Sequence, residues 1–420
     1  MRPVETAAEA SIATPVAASE KPRLLMVFYG NPDYYAAICR EAAAIGKHFV
    51  INLIGLDDGR ARAHEWPAGI AVERFQQRAS SRNSRIQQLV RLVDYARFIR
   101  TVRRRARELN PAVVYTYDTR GFVAGLAAQR AADFALVFHW HDLFDIDQLA
   151  RFSPQRWIEK QGTARGPRAD LVVADDPQRI QHYLSESGDS RPAVLLPNYP
   201  SREQFPRPAD FDALLERRFG NREILYTGGI GGEGNATGSL IRACAMLPPD
   251  CRLTLYGPSP DETLGELRGL AQSLSLGTRV RYGGRIPWSE LIARTGEATV
   301  GAVTFRPVNF NYSAMGSATN KLYEYAARGL PVVVPDTPSF RAALGGELWA
   351  EFVDIDNPAS VARGLRGFLD DRDRYASAGR AARRAFEECF NFECVFPRLY
   401  QRLAPLAAHT SRDAIAITAQ

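Results

Sequence analysis

Short apolar runs that stop at a glycine or an acid recur along this chain, and stretches with amphipathic-helix spacing lie between them. "RLLMVFYG" (Arg23 to Gly30) is one such run, "YYAAICREAAAIG" the helical stretch after it and "FVINLIGL" the next run. A strand, a helix and a second strand in that order predict a parallel sheet, since parallel neighbours need a crossover. The alternation continues through a long helix, "SRIQQLVRLVDYARFIRTVRRRAREL", stopped by Asn110-Pro111. Strands are expected in "AVVYTYD", "ALVFHWHD", "ADLVVADD" and "PAVLLPNYP", with helices in "GFVAGLAAQRAA" and from about Gln178 to Glu186. Near Pro200 the sequence turns proline-rich and polar, and then the pattern restarts. "EILYTGG", "CRLTLYG", "RVRYGG", "ATVGAVTF" and "LPVVVPD" read as strands, separated by helices such as "GSLIRACAMLP" and "KLYEYAARG". The expected fold class is α/β, with two Rossmann-like, doubly wound parallel-sheet domains facing a cleft. The expected boundaries are a disordered tail over 1–20, a first domain over 21–200, a linker over 201–220, a second domain over 221–390, a closing segment over 391–408 and a second tail over 409–420.

The 420 residues suffice for a core in each domain. No apolar run approaches the roughly 18 residues of a membrane span. The first residues lack a basic segment followed by an apolar one, so no secretory signal is expected. Cysteines stand at 39, 244, 251, 389 and 394 without metal-site spacing, and the six histidines form no metal motif. Reduced thiols in a cytoplasmic protein follow. A net charge of +6 and a pI near 9.1 point to an anionic partner. No nucleic-acid module or aromatic–basic interleaving is present.

In doubly wound sheets ligands bind outside the carboxyl ends of the strands. After "EILYT" come six glycines in the eleven residues from Gly228 to Gly238. Such a turn lets backbone N–H groups approach a phosphate, although a plain flexible loop has the same composition. "YGPSP" (Tyr256, Gly257) and "GRIP" (Arg285, Ile286) follow the next two strands; backbone groups of the second can meet a base edge, although an ordinary βα loop reads the same way. In "NKLYEYAARG", Asn320 and Lys321 open a helix after a polar loop, and Glu324 lies one turn in. A carboxylate there can hold the vicinal diol of a ribose, or merely complement the helix dipole. In the first domain His139 and His141 alternate along one strand, so one is expected to face the cleft, and Asp142 follows them. Asp118 ends another strand. Asn31, and less strongly Asp33, stand in the first loop. The helix from Ser84 to Leu109 is basic and amphipathic, which fits either docking on an anionic membrane or a solvated face over a packed one.

"LYTGGIGGEG", "YGGRIPWSEL", "ATVGAVTFRP" and above all "NKLYEYAARGLPVVV" resemble the C-terminal domain of GT-B fold glycosyltransferases, the family 4-like group. The resemblance spans about Arg23 to Leu403 and is strongest from Ile224 to Asp336. It implies a nucleotide-diphosphate sugar as donor and no cofactor. It implies that Glu324 binds the ribose hydroxyls and that Thr319, Asn320 and Lys321 bind diphosphate. Gly229, Gly231 and Gly232 would border the diphosphate, and Arg285 and Ile286 the base. His141 would lie near the reacting sugar carbon, with Asp142 beside it and Asp118 lining an acceptor pocket that Asn31 and His139 approach. The segment "NFECVFPRLYQRLAPL" would cross back onto the first domain as a helix. Two positions depart from the pattern. Many relatives carry a second glutamate where this chain has Gly316, and an Arg and Lys after the Gly-rich strand that are missing here. Lys321, Arg285 or Arg306 would then meet the donor charge. The resemblance implies a metal-independent hexosyltransferase, more in line with retention than inversion, in cell-surface polysaccharide or glycoconjugate synthesis. The acceptor would be a carbohydrate or lipid-linked molecule, and the protein would be cytoplasmic, at most peripheral on the inner membrane face. A nucleotide-sugar 2-epimerase and a catalytically degenerate binding subunit share the architecture.

Overall fold

The computed structural model describes residues 21–60, 64–78, 84–142, 146, 149, 151, 153–294 and 296–418, with backbone only at 84–88, 288–289 and 409–418. The expected tail at 1–20 lies outside the described residues. Two parallel sheets form the two cores. The first has seven strands in the order β3-β2-β1-β4-β5-β6-β7 and the second six in the order β10-β9-β8-β11-β12-β13.

In the first sheet, β1 (Arg23–Phe28) and β2 (Val50–Asp57) run parallel, and β1 also pairs with β4 (Val113–Tyr117). Residue alternation divides β1 between two faces. Leu24, Met26 and Phe28 pack with α1 (Ala36–Ile45), and Leu25 and Val27 pack with α2 (Ser84–Leu109) and α3 (Asp118–Ala128). β5 (Ala135–Trp140), β6 (Leu171–Ala174) and β7 (Val194–Leu195) extend the sheet, with α5 (Pro177–Ser187) after β6. Two elements here escape the sequence pattern. β3 (Ile70–Gln76) is a partly exposed edge strand, and α4 (Pro154–Arg165) has few apolar residues to mark it.

The second sheet contains β8 (Glu223–Thr227), β9 (Arg252–Tyr256), β10 (Val280–Gly284), β11 (Val300–Ala302), β12 (Val332–Pro335) and β13 (Ala350–Val353). Its helices are α6 (Phe211–Asn221), α7 (Thr237–Ala245), α8 (Asp261–Ser273), α9 (Trp288–Arg294), α10 (Phe310–Ser313), α11 (Asn320–Ala327), α12 (Pro338–Leu344), α13 (Pro358–Leu369) and α14 (Arg372–Glu388). α6 falls in the stretch read as a linker, yet Phe211 and Leu215 are buried in the second core. The last helix, α15 (Phe392–Thr418), runs through the stretch expected as a tail. Its Phe392, Val395, Leu399 and Leu403 are buried on the α1 face of the first sheet. The chain thus passes between the domains near 200 and again near 391, where the Phe392 amide donates to the Pro200 carbonyl at 3.0 Å.

Candidate active site

A cavity of about 1170 Å³ lies between the domains. Its second-domain wall holds Gly228, Tyr256, Gly257, Arg285 and Ile286, and its first-domain wall holds Asp33, Tyr34, Trp66 and Arg74. The wall is narrow at the strand ends because β8 and β9 come very close there. The Gly228 amide donates to the Tyr256 carbonyl at 2.9 Å, and the Gly257 amide to the Gly284 carbonyl at 2.9 Å. Gly257 has φ +148°, and a Cβ on it would overlap the carbonyl oxygen of Gly228. Gly229, Gly231 and Gly232 lie further along the same turn. Gly231 packs on Thr263 of α8, its amide donates to Thr237 Oγ1 at 3.0 Å, and the Gly229 carbonyl accepts from Tyr226.

Lys321 stands beside Gly228. A Cβ on that glycine would come within 2.6 Å of Lys321 Nζ. The ammonium lies 4.4 Å from the ring centroids of both Tyr226 and Phe305, with no hydrogen-bond acceptor among the described residues. Burial lowers its pKa to about 7, against a smaller opposing pull from Glu324. Thr319 is the N-cap of α11, and Asn320 Oδ1 is buried without a partner among the described residues. Glu324 is itself buried, one turn into α11. These features place a desolvated cation, a free helix N-terminus and a carboxylate along one edge of the second sheet.

Arg285 lies over the Tyr34 ring at 4.9 Å, bridging the mouth of the cleft. Arg306, the third expected donor ligand, is instead paired with Asp356. Gly316 has a packing reason for lacking a side chain, because a Cβ there would overlap the Ser339 backbone. Its amide donates to Ser339 Oγ at 2.7 Å and its carbonyl accepts from Tyr323 at 2.6 Å. Gly316→Ala is expected to lower stability by about 1–3 kcal/mol through overpacking, read as an earlier urea midpoint with an unchanged slope.

In the first domain the two histidines separate as strand alternation requires. His139 does not face the cleft, which corrects the expectation for it. It is 1% exposed, with Nδ1 3.0 Å from Tyr115 Oη and 3.2 Å from Glu41 Oε2. Burial disfavours ionised Glu41, but His139 and Arg40 outweigh it and hold the carboxyl below its ordinary range. His141 reaches the second domain only through Asn198 and Arg179, which bond onward to residues of the 311–318 loop. Its Nε2 is 3.1 Å from Asn198 Nδ2, and Nδ1 is buried without a partner among the described residues. Arg40 decides the tautomer. Arg40 Nη2 donates to Asn198 Oδ1 at 2.6 Å, and an arginine cannot accept. Asn198 therefore presents its NH₂ to His141 Nε2, which must be the unprotonated nitrogen. Nδ1 then carries the proton as an unused donor. Burial lowers the His141 pKa, with Asp175 and Asp142 opposing, in keeping with the neutral ring.

Asp118 accepts from the amides of His141 at 3.1 Å and Asp142 at 2.7 Å, so it fixes the end of β5. It does so from φ +54°, and burial, with the Asp142 charge, raises its pKa well above the ordinary range. Asp142 accepts from the Tyr35 hydroxyl. Asn31 is also used locally, contrary to expectation. Its Oδ1 caps the Asp33 amide at 3.1 Å and its Nδ2 donates to Asp58 at 2.7 Å. Asp33 is held by Trp66 at 2.8 Å and by Arg74 at 2.8 and 3.0 Å.

Sequence reasoning missed the residues that join the halves. Arg179, 2% exposed on α5, donates to Asp175 at 3.0 Å, to the His141 carbonyl, and across the cleft to the Ala314 carbonyl at 3.1 Å and Asn311 Oδ1 at 2.8 Å. Asp176 accepts from the Ser317 amide at 3.1 Å, and Asn198 bonds to Ser317 and Ala318. The only local hint was the acid pair that ends "ADLVVADD". Among the described residues no group of three His, Cys, Asp or Glu side chains is placed to hold a metal ion, and no helix is long and apolar enough to cross a membrane.

Residues 30–199 match a family model described as a glycosyl transferase 4-like domain, and residues 238–393 one described as glycosyl transferase-like. Curated protein sequences give no match. Several solved structures share the fold. HepE from Anabaena, in complex with UDP and glucose, has a TM-score of 0.69 at 16% identity, covering 91% of this chain and 100% of that one. Sucrose-phosphate synthase from Thermosynechococcus elongatus has 0.71 at 18%, covering 92% and 100%. A glycosyltransferase from Rickettsia africae has 0.64 at 13%, covering 92% and 98%. The chain belongs to the GT-B glycosyltransferases of the family 4-like group.

Proposed function

We propose that the protein transfers a sugar from a nucleotide-diphosphate sugar to an acceptor hydroxyl. The observation that carries this is the Lys321 ammonium, buried over two aromatic rings, lacking an acceptor and facing a glycine turn where no side chain fits. A cation kept dry in this way stabilises negative charge far better than one in water. Lys321, the α11 N-terminus and Arg285 would meet the charge that grows on the departing diphosphate. Glu324 would hold the ribose diol and Ile286 would border the base. His141 would donate from Nδ1 to the sugar, steadied by Asn198 and Arg40, with Asp142 beside it and Asp118 positioning both. The complex of HepE with UDP and glucose supports this donor class.

Transfer without a divalent metal or cofactor, retention at the anomeric carbon and a carbohydrate or lipid-linked acceptor belong to the same proposal. So do a role in cell-surface polysaccharide or glycoconjugate synthesis and a cytoplasmic location with the α2 side against an anionic membrane. The test is thermal stabilisation by nucleotide diphosphates and nucleotide sugars. A ligand at about 100 times its Kd is expected to add roughly 2.7 kcal/mol, several degrees here. Glu324→Ala is expected to remove the shift for a nucleoside diphosphate. If no nucleotide stabilises the wild type, the donor reading fails and a degenerate binding subunit takes its place.

A further inference from the structure

The ring of Tyr34, in the first domain, carries two guanidinium groups. Arg60 lies 4.0 Å from its centroid and Arg285 4.9 Å. The two are held differently. Arg60 is fixed within the first domain, its Nε donating at 2.6 Å to Asp58, which also accepts from Asn31 at 2.7 Å. Asn31 in turn caps the short 3₁₀ turn Pro32–Tyr34 that presents the ring. Arg285 comes from the second domain, is exposed, and makes no hydrogen bond or ion pair among the described residues. It rests on Tyr34 by stacking. A flat aromatic face that takes a planar guanidinium also takes a planar nucleobase.

The position of the ring suits the base end of a donor rather than its reacting end. Tyr34 lines the cavity between the domains together with Ile286 and Leu291, which follow β10, and with Trp66, Ile70 and Val72 at the β3 edge of the first sheet. Asp118, His141 and Asp142 do not line it. β10 stands two strands from β8, whose end carries Gly228 beside Lys321. Two strand spacings are about 10 Å, a distance that a nucleoside diphosphate covers between its phosphates and its base. The first-domain wall also has polar atoms to spare. His64 Nε2 and Arg74 Nε, on two lining residues, are buried without partners among the described residues. Trp66 is fixed there by its Nε1, which donates to Asp33 at 2.8 Å.

We infer that Tyr34 is a donor-specificity residue supplied by the first domain: the nucleobase enters between Tyr34 and Ile286 and displaces the Arg285 guanidinium from the ring. The inference rests on the transferase reading of the cleft. His64 and Arg74 then stand on the wall that meets the polar edge of the base. The test is calorimetric titration of the full chain with the diphosphates of uridine, guanosine, adenosine and cytidine. Inorganic pyrophosphate, which has no base, is followed in parallel by its effect on the melting temperature at millimolar concentration. Tyr34→Ala is expected to weaken binding of the preferred nucleoside diphosphate about tenfold or more. Tyr34→Phe keeps the ring and is expected to bind within about twofold of the wild type. Stabilisation by pyrophosphate is expected to be the same in all three proteins, which also shows that the fold is intact. The inference is overturned if Tyr34→Ala binds the nucleoside diphosphate as the wild type does, in which case the ring serves another ligand, the acceptor among them. It is overturned equally if Tyr34→Phe loses as much as Tyr34→Ala, or if the response to pyrophosphate falls with that to the nucleotide. These results leave the donor reading standing. Failure of the wild type to bind any nucleoside diphosphate sinks the donor reading and this inference with it.

Discussion

Lys321→Met is expected to raise the melting temperature of the ligand-free protein while abolishing its response to nucleotide diphosphates. Burial takes the lysine pKa from 10.5 to about 7, so charging it inside the fold costs on the order of 4 kcal/mol relative to the unfolded chain. The faces of Tyr226 and Phe305 offset about 1–2 kcal/mol of that. A methionine of similar length keeps the ring contacts and removes the charge, for a net gain of about 2 kcal/mol, or roughly 5 °C. The pH dependence has a definite sign. The folded-state pKa lies below the unfolded one, so between about 7 and 10.5 the unfolded chain binds the extra proton and stability rises with pH. The advantage of the methionine variant is expected to shrink as pH rises through that window. Binding carries the same signature, because a diphosphate beside Nζ favours its charged form. Calorimetry at about pH 8 in buffers of different ionisation enthalpy is expected to show proton uptake of up to about one per site. A buffer-independent binding enthalpy, or full diphosphate affinity in the methionine variant, would remove Lys321 from the donor site.

Gly257→Ala is expected to be the most damaging single-methyl change in the second domain. Its φ of +148° suits glycine alone, and the added carbon would overlap the Gly228 carbonyl oxygen, which belongs to a neighbouring strand end and cannot rotate away. Backbone strain of about 1–3 kcal/mol and overpacking of similar size together reach a large part of a domain's usual 5–15 kcal/mol. A fall in melting temperature of roughly 10 °C, or loss of soluble protein, is the expected reading. The control is Gly232→Ala. It also has positive φ, at +77°, but meets nothing within 4 Å, so it carries only the backbone cost of about 1 kcal/mol. Equal melting temperatures for the two variants would show that the close approach of β8 and β9 is not what fixes this wall.

The order of strands and helices was legible because most strands are buried on both faces and stand out as apolar runs. β3 and α4 were not, because one is an exposed edge and the other a polar helix whose residues matter through what they touch. At the candidate site, the helix start at Asn320 and the glycine turn after β8 were legible as two local loop-to-helix stretches, while their meeting, Gly228 beside Lys321, shows only in the fold. Arg40, Arg179 and Asn198 were not legible. Each acts on a residue more than 50 positions away, as Arg40 does on Asn198 and Arg179 on Asn311, and nothing in their own neighbourhoods marks them. Asn31 and His139 show the reverse. Their positions near strand ends suggested a cleft, but local partners take up both polar atoms of Asn31 and the Nδ1 of His139.

The polar seam built on Arg179, Asp176 and Asn198 also bears on how such chains can be recombined. A chimera cut near 200 would carry α5 with one parent and the 311–318 loop with the other. A buried guanidinium would then face carbonyls and an asparagine that its own parent did not supply. Recombination that respects this protein would move α5, Asn198, the 311–318 loop and the returning helix α15 as one inherited block. In this chain the unit of exchange is the seam rather than the domain.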